Sequence, residues 1–288
     1  MDYSKETGKE QTYAAYTLNP HKYPNDFRIT NNSVHPIAVR TVNGVKMLFA
    51  TDMYGYSLFV YRFNPKTDGE IAIPCMAIYD DTKARQVTFM QDTTGDGSFD
   101  TNEVMYSGNS GSRKYIHVWL GWDVDDNGNI YNARNGDCTI AEYAFGGING
   151  NGVPIWEQEK IYEPPKLFKG ENTDGFNPKK YSDLRMSRYD AANDAMYLTG
   201  AFNDYNYNDG NGSVPMKPQS KSPGDTLARV DNWSKGNREP SYVIAFDYSK
   251  KLYQNKYLNL NSGFAVCGDY IFVCESAFTE LGAIHIYA

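Results

Sequence analysis

The stretch Ile116-His117-Val118-Trp119-Leu120, Asp125-Asp126-Asn127-Gly128, Ile130-Tyr131-Asn132-Ala133 decides how the rest of the chain is read. Two runs of β-branched and aromatic residues flank a short polar turn. Asn-Gly there supplies the positive φ angles of a tight hairpin. Working outward, residues 46–50 (Lys-Met-Leu-Phe-Ala) and 57–63 (Ser-Leu-Phe-Val-Tyr-Arg-Phe) flank Met53-Tyr54-Gly55-Tyr56 in the same way. Ile71–Tyr79, Gln86–Met90 and Ile140–Phe145 are further strands, the last bounded by Gly146-Gly147.

The second half keeps the rhythm. Asp183–Asp190 passes through Asn193-Asp194 into Ala195–Gly200, and Tyr242–Asp247 forms another strand. Gly263–Cys267 turns at Gly268-Asp269 into Tyr270–Cys274, and Gly282–Tyr287 closes the chain. No window sustains a helical period over three turns. The clusters recur at roughly 40 to 50 residues, the blade length of β-propellers. The expected fold is therefore all-β, a single propeller domain over residues 1–288. About six blades fit the length, and five or seven fit nearly as well. Asn203–Asp225 and Gly170–Lys180 read as polar surface loops.

Composition agrees with sheet. Of 288 residues, 15% are aromatic, with 24 Tyr against 4 Trp, and Asn and Gly are plentiful at turns. Net charge is −7 with no concentrated basic block, so nucleic acid is excluded as a partner. No apolar run approaches the roughly 20 residues that span a bilayer, so membrane insertion is not expected. Met1–Glu6 lacks the basic and apolar regions of a signal peptide, and the chain reads as a mature or excised segment. Cys75, Cys138, Cys267 and Cys274 are scattered, with no C-x-x-C pair. Buried free thiols are expected, with a disulfide as the alternative.

The run Trp122-Asp123-Val124-Asp125-Asp126-Asn127-Gly128-Asn129-Ile130-Tyr131 resembles the inner hairpin of NHL-type propeller blades. From Val87 to Trp156 the chain resembles propellers of large secreted bacterial proteins, in which an EF-type loop interrupts a blade. Gly152-Val153-Pro154-Ile155-Trp156, Arg185–Asp190 and Ala195–Gly200 fit the same pattern. The resemblance covers roughly residues 85–288 in outline. It implies a fold and little chemistry.

Asp92-Thr93-Thr94-Gly95-Asp96-Gly97-Ser98-Phe99-Asp100-Thr101-Asn102-Glu103 follows the twelve-residue EF register for Ca2+. Asp92, Thr94 and Asp96 take positions one, three and five. Gly97 makes the turn, Ser98 offers its carbonyl, and Asp100 and Glu103 complete the oxygen set. Thr94 replaces a carboxylate or amide, so affinity should fall near the roughly 10⁻⁴–10⁻³ M of extracellular modules. That in turn argues for an extracellular or cell-surface location. The alternative is an acidic turn that binds nothing. A second acidic stretch, Asp123–Ile130, has Arg134 at its twelfth position and reads as a hairpin held by Asx turns.

Catalytic patterns are absent. His21, His35, His117 and His285 lie near no Gly-x-Ser-x-Gly elbow, and no phosphate-binding fingerprint occurs. Paired acids at a propeller axis stay open, with Asp183, Asp190, Asp231 and Glu275 as candidates. Trp233, Tyr205, Tyr207 and Trp156 are candidate platforms for sugar rings, Trp233 being read as the most exposed. Trp119 and Trp122 are instead expected to be packed. The expected function is a calcium-stabilised extracellular binding or scaffold module for a glycan or protein. The alternative is a hydrolase or lyase with axial acids.

Overall fold

The structure is a computed structural model that describes residues 18–30, 34–52, 55–81, 86–109, 121–134, 138–168, 183–201, 226–245, 259–276 and 284–288. Tyr205, Tyr207, His117, Trp119, the 116–120 strand and both long loops lie outside the described residues.

The described chain is all-β apart from one helical turn, α1 (Phe27–Thr30), and a few 3₁₀ turns. The first sheet is a six-stranded antiparallel meander. Its strands are β1 (Val34–Val42), β2 (Val45–Asp52), β3 (Leu58–Phe63), β4 (Ala72–Asp81), β5 (Gln86–Gln91) and β6 (Val104–Asn109). The second sheet contains β7 (Trp122–Val124), β8 (Ile130–Arg134) and β9 (Thr139–Tyr143). A separate hairpin follows, β10 (Phe145–Ile148) with β11 (Pro154–Trp156), before β12 (Lys160–Tyr162) returns to pair with β9. The third sheet is the four-stranded meander β13 (Asp183–Asp190), β14 (Ala195–Ala201), β15 (Thr226–Asp231) and β16 (Tyr242–Ala245). The fourth is β17 (Asn259–Cys267), β18 (Tyr270–Ser276) and β19 (Ile284–Tyr287).

Among the described residues there are five sheets, four of them with three or more strands, against the six blades that the spacing predicts. The reason is local: β3 pairs directly with β4, Leu58 opposite Ile78, so two hairpins that look separate in sequence share one sheet. The strand entering the Asp125–Gly128 turn is β7, with Trp122 opposite Asn132. Gly128 adopts φ +85° there but Asn127 does not take a positive φ, and the Asp125 N–H donates to the Asn129 carbonyl, so the turn is longer than the tight Asn-Gly hairpin expected.

Alternation along the strands sends side chains to both faces of the sheets. The cores lie between successive sheets. Met47, Phe49, Val60 and Phe89 of the first meet Trp122, Ile130 and Tyr143 of the second. Ala133 and Ile140 of the second meet Leu184, Leu198 and Val230 of the third. Met186, Tyr197 and Leu227 of the third meet Phe264, Ile271 and Val273 of the fourth. The far face of the first sheet is covered in part by Phe27, stacked on Phe59 at 4.7 Å. The buried Asp26 carboxylate fixes that segment by pairing with Arg28, which also donates to the Ala72 carbonyl. The far face of the fourth sheet carries Ile284 and Ile286, 63% and 60% exposed.

Cys75 and Cys138 are buried free thiols, as expected, whereas Cys267 and Cys274 are free and exposed. The apolar runs around these two suggested burial, but both cysteines project from that open face of the fourth sheet. Among the described residues no helix is long and apolar enough to cross a membrane.

Candidate functional site

The acidic loop connects β5 to β6, so strands flank it on both sides, with a 3₁₀ turn at Thr101–Glu103. Gly95 and Gly97 adopt φ +88° and +80°, conformations natural only to glycine. A Cβ on Gly97 would also lie 2.4 Å from the Tyr23 ring. Asp92 and Glu103 are fully buried. Asp92 accepts from the Gly95 and Gly97 N–H groups at 2.7 and 2.9 Å, and Asp96 from Ser98 at 2.8 Å. The Thr94 hydroxyl donates to Asp92. Glu103 Oε1 accepts from the Thr93 and Thr94 N–H groups at 2.7 and 3.0 Å, and Oε2 from Asp100 at 3.1 Å.

These bonds set the electrostatics. Burial pushes the Asp92 carboxyl above its ordinary value, and the nearby Glu103 charge adds to that. Burial also opposes charge on Glu103, but the N–H donors of Asp100, Thr94 and Thr93 outweigh it and hold that carboxyl below its usual range. The donor chemistry and the glycine turns fit a hard cation. Among the described residues, however, no three His, Cys, Asp or Glu side chains are gathered closely enough to hold a metal ion. Glu103 would therefore have to exchange N–H donors for the ion.

The loop is tied to the second sheet by the β10–β11 hairpin. Gln91 donates to the Trp156 carbonyl at 2.9 Å and accepts from its N–H at 2.6 Å. The Thr93 carbonyl accepts from Asn149 and Asn151, both at 2.9 Å. Arg62 donates to the Gly95 carbonyl at 2.8 Å. First sheet, inserted hairpin and the segment bearing Tyr23 thus meet at this one loop.

The structure corrects the reading of the tryptophans. Trp233 and Trp156 are each only 3% exposed, so neither presents a ring face to a sugar. Trp233 starts a 3₁₀ turn and packs on Tyr162, with the Arg238 guanidinium 3.6 Å over its ring. Trp156 donates to the Gly128 carbonyl and meets Phe145 and Phe49 edge-on. Trp122 is buried, as expected. The stretch from Asp123 is a hairpin held by Asp125, which accepts from Asn127 and Asn129 N–H groups at 2.9 and 2.8 Å.

A different region gathers polar residues. A cavity of about 440 Å³ is lined by the first strand of each described sheet of three or more strands: Ile37, Ala38 and Arg40 of β1, Trp122–Val124 of β7, Arg188–Asp190 of β13 and Phe264–Val266 of β17. Its volume falls within the range of small-molecule sites. Two arginines staple the strands around it. Arg188 pairs with Asp123, whose other oxygen accepts the Tyr189 N–H at 3.0 Å. Arg40 donates to the Val124 and Asp125 carbonyls at 2.7 and 3.1 Å and lies 3.4 Å from Asp126. Asp190 is here, but its carboxylate accepts from Ala192 and Asn193 in its own turn. Asp231 does not line the cavity and pairs with Arg229 at 2.6 Å. The side chains of Asp183 and Glu275 are outside the described residues. Sequence reading missed Arg40, Asp123 and Arg188, because nothing in local spacing links positions so far apart. No protein-family model matches this chain, and no curated protein matches it either.

Proposed function

We propose that the chain is an NHL-like β-propeller serving as an extracellular, calcium-stabilised binding module, with its ligand site at the cavity shared by the first strands. That shared cavity is the observation that carries the reading. Successive blades of a propeller place their first strands around a common axis and bury their faces against one another. Both features are found among the four larger described sheets: their first strands share the cavity, and cores lie between first and second, second and third, and third and fourth. The Asp92–Glu103 loop supports a stabilising role for the ion. It joins three structural pieces and keeps two carboxylates buried, a charge that a divalent cation would offset.

Binding is favoured over catalysis because three of the four cavity acids are engaged, the fourth, Asp126, being a solvent-exposed carboxylate beside Arg40. Asp123 holds Arg188 and the Tyr189 amide, while Asp125 and Asp190 accept from their own turns. General acid–base chemistry would need a carboxyl able to reach the substrate proton. The test is a glycan array probed with the native protein and with Ala265→Trp, which fills the cavity from β17. Binding that is lost in a folded variant supports the cavity as the site. Binding unchanged by the substitution refutes it.

A further inference from the structure

Resting on that reading of the cavity, we infer that its ligand is a neutral, hydroxyl-rich ring compound, such as an uncharged sugar residue, and that the site rejects anions. Two arginines in a pocket ordinarily suggest an anion, and here the contacts point the other way. The Arg188 charge is balanced by Asp123, which is buried beside it. The Arg40 guanidinium is spread over the carbonyls of Val39, Val124 and Asp125 and faces Asp126. Asp123, Asp125, Asp126 and Asp190 thus outnumber Arg40 and Arg188 in the lining. An added carboxylate or phosphate would meet that excess of negative charge, of which Asp123 and Asp125 are buried and Asp126 is exposed.

Polar recognition is nonetheless built in. Arg188 uses Nη1 for Asp123. A guanidinium has five N–H donors, so its Nε and Nη2 groups remain to meet uncharged oxygens. Hydroxyl donors of the ligand would find the exposed Asp126 carboxylate at the same wall. Ile37, Ala38, Phe264 and Val266 supply apolar surface for C–H groups. Hydroxyl groups both donate and accept, and C–H faces are apolar, so a polyol ring satisfies all three requirements together.

The experiment compares neutral oligosaccharides with their uronic-acid counterparts by titration calorimetry at low and at high salt. The inference expects neutral compounds to bind with little salt dependence, since no net charge is neutralised. Acidic counterparts should bind roughly tenfold or more weakly. Arg188→Lys keeps a cation beside Asp123 but removes the fork of donors, and should weaken neutral binding roughly tenfold with the melting temperature retained. Tighter, salt-sensitive binding of the acidic compounds would overturn this inference and leave the cavity as a binding site. Failure of both classes to bind, or neutral binding indifferent to Arg188→Lys and Ala265→Trp alike, would overturn the cavity reading itself.

Discussion

The side chain of Gln91 forms both hydrogen bonds of a backbone pairing with Trp156, taking its N–H at 2.6 Å and giving to its carbonyl at 2.9 Å. One carboxamide therefore does the work of a strand neighbour and docks the β10–β11 hairpin on the first sheet. Gln91→Ala would leave two buried backbone groups unpaired. The expected loss is about 2–6 kcal/mol in chemical denaturation, at roughly 1–3 kcal/mol for each unsatisfied group. A midpoint unchanged by the substitution would show that the hairpin is held by other contacts.

Calcium should stabilise the fold through the loop that this hairpin covers. Addition of calcium should raise the melting temperature, with affinity in the weak range of roughly 10⁻⁴–10⁻³ M. Asp96→Ala should abolish the increase, and its own stability without calcium should stay near native, because Asp96 bonds only Ser98 in its own turn. No heat of binding in calorimetry and no thermal shift would remove calcium from the account.

Trp233→Ala should act on stability and leave ligand binding untouched. The ring is buried against Tyr162 beneath the Arg238 guanidinium, so its removal opens a cavity and takes one of two aromatic faces from Arg238. A cost of about 3–5 kcal/mol is expected from denaturant unfolding. A folded variant of native stability that lost glycan binding would restore the exposed-platform reading.

Asp194 should govern part of the acid limb of stability. It accepts from the Ser234 N–H at 2.8 Å, the Ser234 hydroxyl at 2.9 Å and the Tyr189 hydroxyl at 2.9 Å. Burial opposes its charge, but these donors outweigh it and hold the carboxyl below its ordinary value. A depressed folded value means that stability is present above the unfolded carboxyl's pKa of about 3.9 and is lost as pH falls through the folded one. Asp194→Asn should lower stability at neutral pH and flatten the decline below about pH 4. An unaltered slope there would contradict the assignment.

What the sequence made legible was local. Asp183–Asp190 and Ala195–Ala201 pair as the apolar runs and the Asn193-Asp194 turn require, with Asp194 at φ +48°. Gly97, placed at the turn of the Asp92–Glu103 loop by its sequence, adopts φ +80°. β1 escaped notice because His35, Pro36, Arg40 and Thr41 interrupt its apolar pattern. Trp233 looked exposed because its neighbours are polar, yet its burial depends on Tyr162, some seventy residues away. The cavity was least legible of all. Its residues run from Ile37 to Gly268, and only tertiary pairing such as Arg188 with Asp123 brings them together.

The most direct test is a crystal structure of the protein grown with calcium. The account predicts that β1, β7, β13 and β17 will be the innermost strands of sheets set radially about one axis, enclosing a solvent-filled cavity beside the Asp123–Arg188 pair. Sheets stacked face to face as a sandwich, with those four strands sharing no common space, would contradict it.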